Sequence, residues 1–104
     1  MMARFILSPS ASADQTEILN DLNSKAGLRT ASKFRGPSRR LYMTLTDHPA
    51  IGAPRPALGR DIRIGIVSPY TIIYQHSADN GTVTVLRIVH GRRRITGKLL
   101  SENS

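Results

Sequence analysis

Apolar and polar positions change their period once along the 104 residues. Arg4 to Leu7 forms a short strand-like run. Beyond it Ala11, Ile18, Leu19 and Leu22 recur at helical spacing. Ser8 and Pro9 supply an N-cap and a proline at the first helical position, where its missing N–H costs nothing. Asp14 and Glu17 stand early and Lys25 late, as the helix dipole favours, and Gly27 is a stop signal. The spacing predicts a first helix over about residues 9–25. From Leu28 a second stripe follows through Ala31, Phe34, Leu41 and Leu45, with Arg29, Lys33, Arg35, Arg39 and Arg40 on the other faces. Gly36-Pro37 falls in its middle and predicts a kink or a split near Gly36, with Ser38 keeping the stripe in phase across it.

His48 through Gly59, rich in proline and glycine, reads as an ordered surface loop with no regular structure. The period is then two. Ile62, Ile64 and Ile66 alternate with Arg63 and Gly65, Ser68-Pro69 turns the chain, and Tyr70 to His76 is a second strand. Asn80-Gly81 suits a tight hairpin leading into Thr82 to Val89. The order β-α-α-β-β-β predicts an α+β, two-layer domain, an antiparallel sheet with an N-terminal helical hairpin packed on one face. One domain over 1–104 is expected, with a core of about 4–94 and a C-terminal tail over 95–104, the stretch from His90 to Lys98 being basic and glycine-interrupted.

Composition narrows the classes. No cysteine means no disulfide, thiolate metal site or cysteine nucleophile, and suits a reducing cytoplasm. No run approaches a membrane span or a signal peptide, so a cytoplasmic protein with no membrane partner is expected. His48, His76 and His90 are too scattered for a metal set, and no cofactor is assigned. Lys and Arg number 15 against 7 Asp and Glu, a net charge of +8. A small domain so charged attracts polyanions: nucleic acid, an acidic membrane face or an acidic polypeptide. No acidic residue occurs between Lys25 and Asp47, which concentrates the charge on the second helix.

Four motifs in order resemble a known family. Leu7-Ser8-Pro9-Ser10-Ala11 with Asp14 and Ile18 is similar to the opening of ParE-type toxins. Pro49-Ala50-Ile51-Gly52 with Pro54-Arg55-Pro56, then Leu58-Gly59 and Arg63, resembles their central loop. Pro69-Tyr70-Thr71-Ile72-Ile73-Tyr74 and Val85-Leu86-Arg87-Ile88-Val89-His90-Gly91-Arg92-Arg93 resemble their last two strands. The resemblance, over roughly residues 4–94, is to the ParE/RelE superfamily and closer to ParE. It implies the toxin of a type II toxin–antitoxin pair, of the kind linked to plasmid stabilisation and growth arrest. An acidic antitoxin neutralises such a toxin in a hetero-oligomer. ParE-like members inhibit DNA gyrase, with at most indirect contact to nucleic acid; RelE-like members cut mRNA on the ribosome.

RNA cleavage without a metal needs a base for the ribose hydroxyl, an acid for the leaving oxygen and cations for the phosphorane. Arg63, Arg93 and His90 are the candidates, but the chain past Arg94 holds no Tyr or His. The acid–base half is poorly provided, which favours a gyrase inhibitor that is not an enzyme, the endoribonuclease standing as the alternative. Arg35, Arg39, Arg40, Arg87, Arg92, Arg93 and Arg94 are the candidate contacts to antitoxin or target, because guanidinium meets carboxylate and phosphate bidentately. Arg87, read as sharing a strand face with Val83, Val85 and Val89, is expected to hold Asp61 or an acidic antitoxin residue. Tyr70 and Tyr74 lie on one strand face, either packed beneath the hairpin or stacking on a partner.

Overall fold

Ser8 turns the chain from strand into helix: its Oγ accepts from the Ala11 N–H at 3.0 Å, and Pro9 follows as the first helical residue. The computed structural model describes residues 3–101. Its elements are β1 (Arg4–Leu7), α1 (Pro9–Ala26), α2 (Leu28–Asp47), β2 (Ala53–Pro54), a 3-10 turn (Pro56–Leu58), β3 (Ile62–Val67), β4 (Tyr70–Ser77), β5 (Thr82–His90) and α3 (Gly97–Ser101). Gly27 alone joins α1 to α2. Its φ of +83° is open to a residue without Cβ, and its N–H bonds to the Asn23 carbonyl at 3.0 Å.

The architecture is the α+β one, a helical hairpin on one face of a sheet, but the sheet has five strands in the order β1-β5-β4-β3-β2 and is mixed. β1 lies parallel to β5, with Arg4 opposite Thr82 and Leu7 opposite Val85, and the other pairings are antiparallel. The two-helix crossover returns the chain to the far side of the sheet, so the last strand fills the space between β1 and β4. Nothing in a four-residue apolar run encodes that direction. The loop 48–59 also contains regular structure: Ala53 and Pro54 pair with Ile64 and Arg63.

The helix is not split at Gly36-Pro37; α2 runs as one helix from Leu28 to Asp47 with Pro37 inside it. A residue before proline leaves the helical region chiefly because its Cβ and N–H meet the proline ring, and glycine has no Cβ. The carbonyl that loses its helical donor to Pro37 is that of Lys33, four residues back; Ser38 Oγ donates to the Arg35 carbonyl at 3.1 Å. Phe34 and Leu45 of α2 and Ala11 of α1 pack on Val67, Ile72, Tyr74, Val83, Val85 and Ile88. Each such aliphatic side chain, fully buried, contributes about 2 kcal/mol.

The opposite face of the sheet is covered too. Ile62, Ile73 and Val89 form a second cluster with Leu99 of α3, and Ile95 and Leu100 pack beside it. The segment past Arg94, read from the sequence as a tail, belongs to the packed body as far as α3. Among the described residues no helix is long and apolar enough to cross a membrane.

Candidate functional site

Three places hold the candidate residues, and the chain itself satisfies two of them. At the first, Ile73 pairs with Arg87 while Tyr74 pairs with Val85, so Leu86 is an extra residue, a bulge in β5. The bulge shifts the side-chain alternation. Val83 and Val85 face the hairpin, whereas Arg87 leaves that face, contrary to the regular alternation read from the sequence. β1 ends at Leu7, so β5 beyond Val85 has no strand on that side. Residues of the α1 start fill the gap. Ser8 N–H donates to the Val85 carbonyl and Ser8 Oγ to the Leu86 carbonyl, both at 3.0 Å. Asp14 takes the Ile88 N–H at 3.0 Å. The same carboxylate grips Arg87 bidentately, Nε at 2.6 Å and Nη2 at 3.1 Å. Arg87 Nη1 reaches the Leu99 carbonyl of α3 at 3.4 Å. Arg87 is 8% exposed and its guanidinium is committed within the chain. The expected partner Asp61 sits instead in the turn before β3, beside Arg60 at 3.7 Å.

At the second place Arg63 faces Tyr74 across β3 and β4. Its Nη1 donates to the Ala50 and Gly52 carbonyls at 3.0 and 2.8 Å. Tyr74, fully buried, donates its hydroxyl to the Pro49 carbonyl at 2.8 Å and accepts the Gly52 N–H at 2.9 Å. A Cβ on Gly52 would come within 2.5 Å of that hydroxyl and 2.6 Å of the Ile64 carbonyl, which is why glycine stands there. Burial pushes the Tyr74 phenol above its ordinary range, offset in part by the Gly52 N–H and the Arg63 charge. Arg63 and Tyr74 therefore anchor the loop after α2, and a phenol so raised is no base near neutrality.

The third place joins His90 and Arg93. Phe34, Tyr70 and His90 stack edge to face, with centroids 5.2 and 5.8 Å apart. Tyr70 thus packs under α2, with no role in holding the loop. His90 Nδ1 accepts the Arg92 N–H at 3.1 Å and its carbonyl the Arg93 N–H at 2.9 Å. His90, Arg93 and Tyr70 line an open cleft of about 400 Å³ whose other wall is Asp14, Glu17 and Asp21 of α1. Arg63 is not part of it. Arg63 pairs with Tyr74 and His90 with Tyr70; four residues along and two strands across put them roughly 16 Å apart. The three residues proposed for RNA cleavage form no single site, and the acids of α1 face His90 and Arg93 across the cleft.

The remaining candidates are surface cations. Arg92, Arg93 and Arg94 are exposed in the turn after β5. Arg35 and Arg39 are exposed along a cleft of about 300 Å³ between α1 and α2, with Gln15, Leu19, Ser38 and Tyr42. Tyr42 packs on Phe5 at 4.8 Å and donates to Gln15 Oε1 at 3.0 Å; burial pushes its phenol up to about 12. Arg40 is exposed on the outer side of α2, as are Arg29 and Lys33, which the sequence placed on this helix but not among the contacts. The hairpin is thus divided by charge: α1 carries Asp14, Glu17 and Asp21, and α2 carries five cations before Asp47. Sequence reasoning also missed the clamp formed by Ser8 and Asp14. The signal available was an arginine set among valines, which needs a buried acid.

A helical hairpin on a mixed sheet, with the first strand parallel to the last, is the fold of the ParE/RelE superfamily of toxins. The family model for the ParE toxin of the type II toxin–antitoxin system parDE matches residues 5–95, and the chain belongs to that family. Among solved structures it resembles the chromosomal ParDE system of P. aeruginosa, with 20% identity and a TM-score of 0.69 over 86% of this chain and 96% of that one. The toxin–antitoxin complex RelBE2 of Mycobacterium tuberculosis gives 16% and 0.62 over 86% and 99%. A mutant of the E. coli toxin RelE in the free state gives 14% and 0.64 over 99% and 94%. At these identities the likeness is one of fold. No curated protein matches the chain.

Proposed function

We propose that this toxin acts by inhibiting DNA gyrase, without catalysis of its own, and that a cognate acidic antitoxin holds it inactive in the cytoplasm. The observation that carries this reading is the dispersal of the cleavage candidates. Arg63 is spent on loop carbonyls, His90 faces carboxylates, and no Tyr or His follows Arg94. Acid–base cleavage needs its groups within hydrogen-bond reach of one phosphate, directly or through one water. Inhibition by binding needs only a shaped, charged surface, which Arg35, Arg39, Arg40 and Arg92 to Arg94 supply.

The antitoxin segment expected here is acidic and partly apolar, ordering as it covers the cationic hairpin. The cleft between α1 and α2 suits it, with Arg35 and Arg39 for its carboxylates and Leu19 and Tyr42 for its apolar side chains. Purified protein added to gyrase and relaxed plasmid is expected to block supercoiling, with relief on addition of the antitoxin. No inhibition at a large molar excess overturns the gyrase reading. A second reading rests on the cleft shared by His90, Arg93 and Tyr70: a ribosome-dependent endoribonuclease would leave cleaved message in primer extension, abolished by Arg93→Ala. Induction without the antitoxin is expected to arrest growth in either case.

A further inference from the structure

Arg29, Lys33 and Arg40 form one stripe along α2. They are exposed, while Ala31, Phe34, Ser38 and Leu45 are buried on the opposite side of the helix. Steps of four and seven residues bring the three cations back to nearly the same angle on the helix. At 1.5 Å per residue the stripe is about 16 Å long. The residues between them on this side, Ser32 and Gly36, are small. A Cβ on Gly36 would lie 3.5 Å from Arg40 Nη1, so the Arg40 guanidinium leans back over Gly36 toward Lys33.

We propose that this stripe is a docking surface for the phosphate backbone of duplex DNA, independent of base sequence. The surroundings select that partner. No Asp or Glu lies between Lys25 and Asp47, so the stripe itself carries only positive charge, and Asp47, two turns beyond Arg40 on the same side, closes the helix. The acids of the neighbouring helix, Glu17 and Asp21, line the cleft shared with His90 and Arg93. A membrane surface would need an apolar helix face to insert. The apolar face of α2 is buried on the sheet, and this side offers one large apolar side chain, Met43 at 64% exposure. A folding acidic peptide needs a groove for its apolar anchors. Arg29, Lys33 and Arg40 line none of the clefts of about 300–400 Å³ given above, whereas Arg35 and Arg39 do. A rigid duplex brings a regular array of phosphates that needs neither groove nor ordering. The proposal stands whether or not gyrase is the target.

The test is fluorescence anisotropy of the purified toxin with a short labelled duplex, titrated at several salt concentrations. Three phosphate contacts give a slope of log affinity against log salt near about −3. The triple variant Arg29→Gln/Lys33→Gln/Arg40→Gln is expected to flatten that slope toward zero. Arg29→Lys/Arg40→Lys is expected to retain it, since a point charge suffices for counterion release. Arg92→Gln/Arg93→Gln/Arg94→Gln removes the same charge elsewhere and is expected to leave the slope within about one of wild type. Thermal melts confirm that each variant is folded, all substituted residues being exposed. Equal losses from the two triple variants mean net charge without a site and overturn the proposal. So does no binding by wild type at low salt. Poly-glutamate displacing the duplex as well as unlabelled DNA of equal charge also overturns it, in favour of an acidic polypeptide.

Discussion

The bulged edge of β5 and the outer side of α2 both present arginine, under opposite conditions. At β5, Arg87 is enclosed, and the carboxylate of Asp14 answers both its charge and an orphan backbone N–H. On α2, five cations stand in water with no acid within their stretch of sequence. The first arrangement ties α1, the sheet and α3 together; the second does little for the fold and is available to a partner. The same residue type is therefore structural or recognitional according to whether burial has already assigned it a partner, and mutational cost should separate the two regions sharply.

The largest effect is expected at the clamp. Asp14→Ala leaves a buried guanidinium and the Ile88 N–H unpaired and should cost about 4 kcal/mol in urea unfolding; adding Arg87→Met should recover most of it, because the uncompensated charge is gone. A cost below about 1 kcal/mol would place this pair with ordinary surface ion pairs and erase the contrast. Next is the loop anchor: Tyr74→Phe removes the partner of Gly52 N–H and Pro49 C=O and should cost about 2 kcal/mol with the sheet intact.

Tyr42→Phe should cost about 1 kcal/mol, from the lost bond to Gln15. It also carries a pH signature. Above pH 10.0 the unfolded chain releases the phenolic proton, while the folded chain keeps it to about pH 12. Wild-type stability therefore falls as pH rises through that window, and the variant should lose this share of the fall in melts at alkaline pH. The smallest effect is on α2: Arg29→Gln, Lys33→Gln and Arg40→Gln should each stay within about 0.5 kcal/mol of wild type. A larger loss would mean that the exposed cations are part of the fold after all.

Much of this fold is legible in the sequence because local chemistry and tertiary packing agree. Ser8-Pro9 and Gly27 delimit α1 at Pro9–Ala26 as the caps require, and the alternation of Ile62, Ile64 and Ile66 marks β3. Three features were hidden for identifiable reasons. The pattern Val83, Val85, Arg87, Val89 reads as a regular strand, and one bulge residue reverses the meaning of its second half. Pro37 signals a break, and one contribution to it, the clash of the proline ring with the Cβ of the preceding residue, is missing at Gly36. α3 has five residues, too few for a helical period to show. The candidate site was legible as composition rather than as geometry. The cations were countable, but the acceptors of Arg63 are backbone carbonyls of a loop, which leave no mark in residue identity.

Ser8 and Asp14 have one more consequence. A short strand beside a longer one leaves unpaired amides and carbonyls, the usual template on which copies of a protein stack into aggregates. Here a hydroxyl and a carboxylate occupy the overhang of β5, and Glu17 and Asp21 put negative charge beside it. The same few residues that begin α1 thereby guard a small protein against stacking on itself along this edge during any interval it spends unaccompanied.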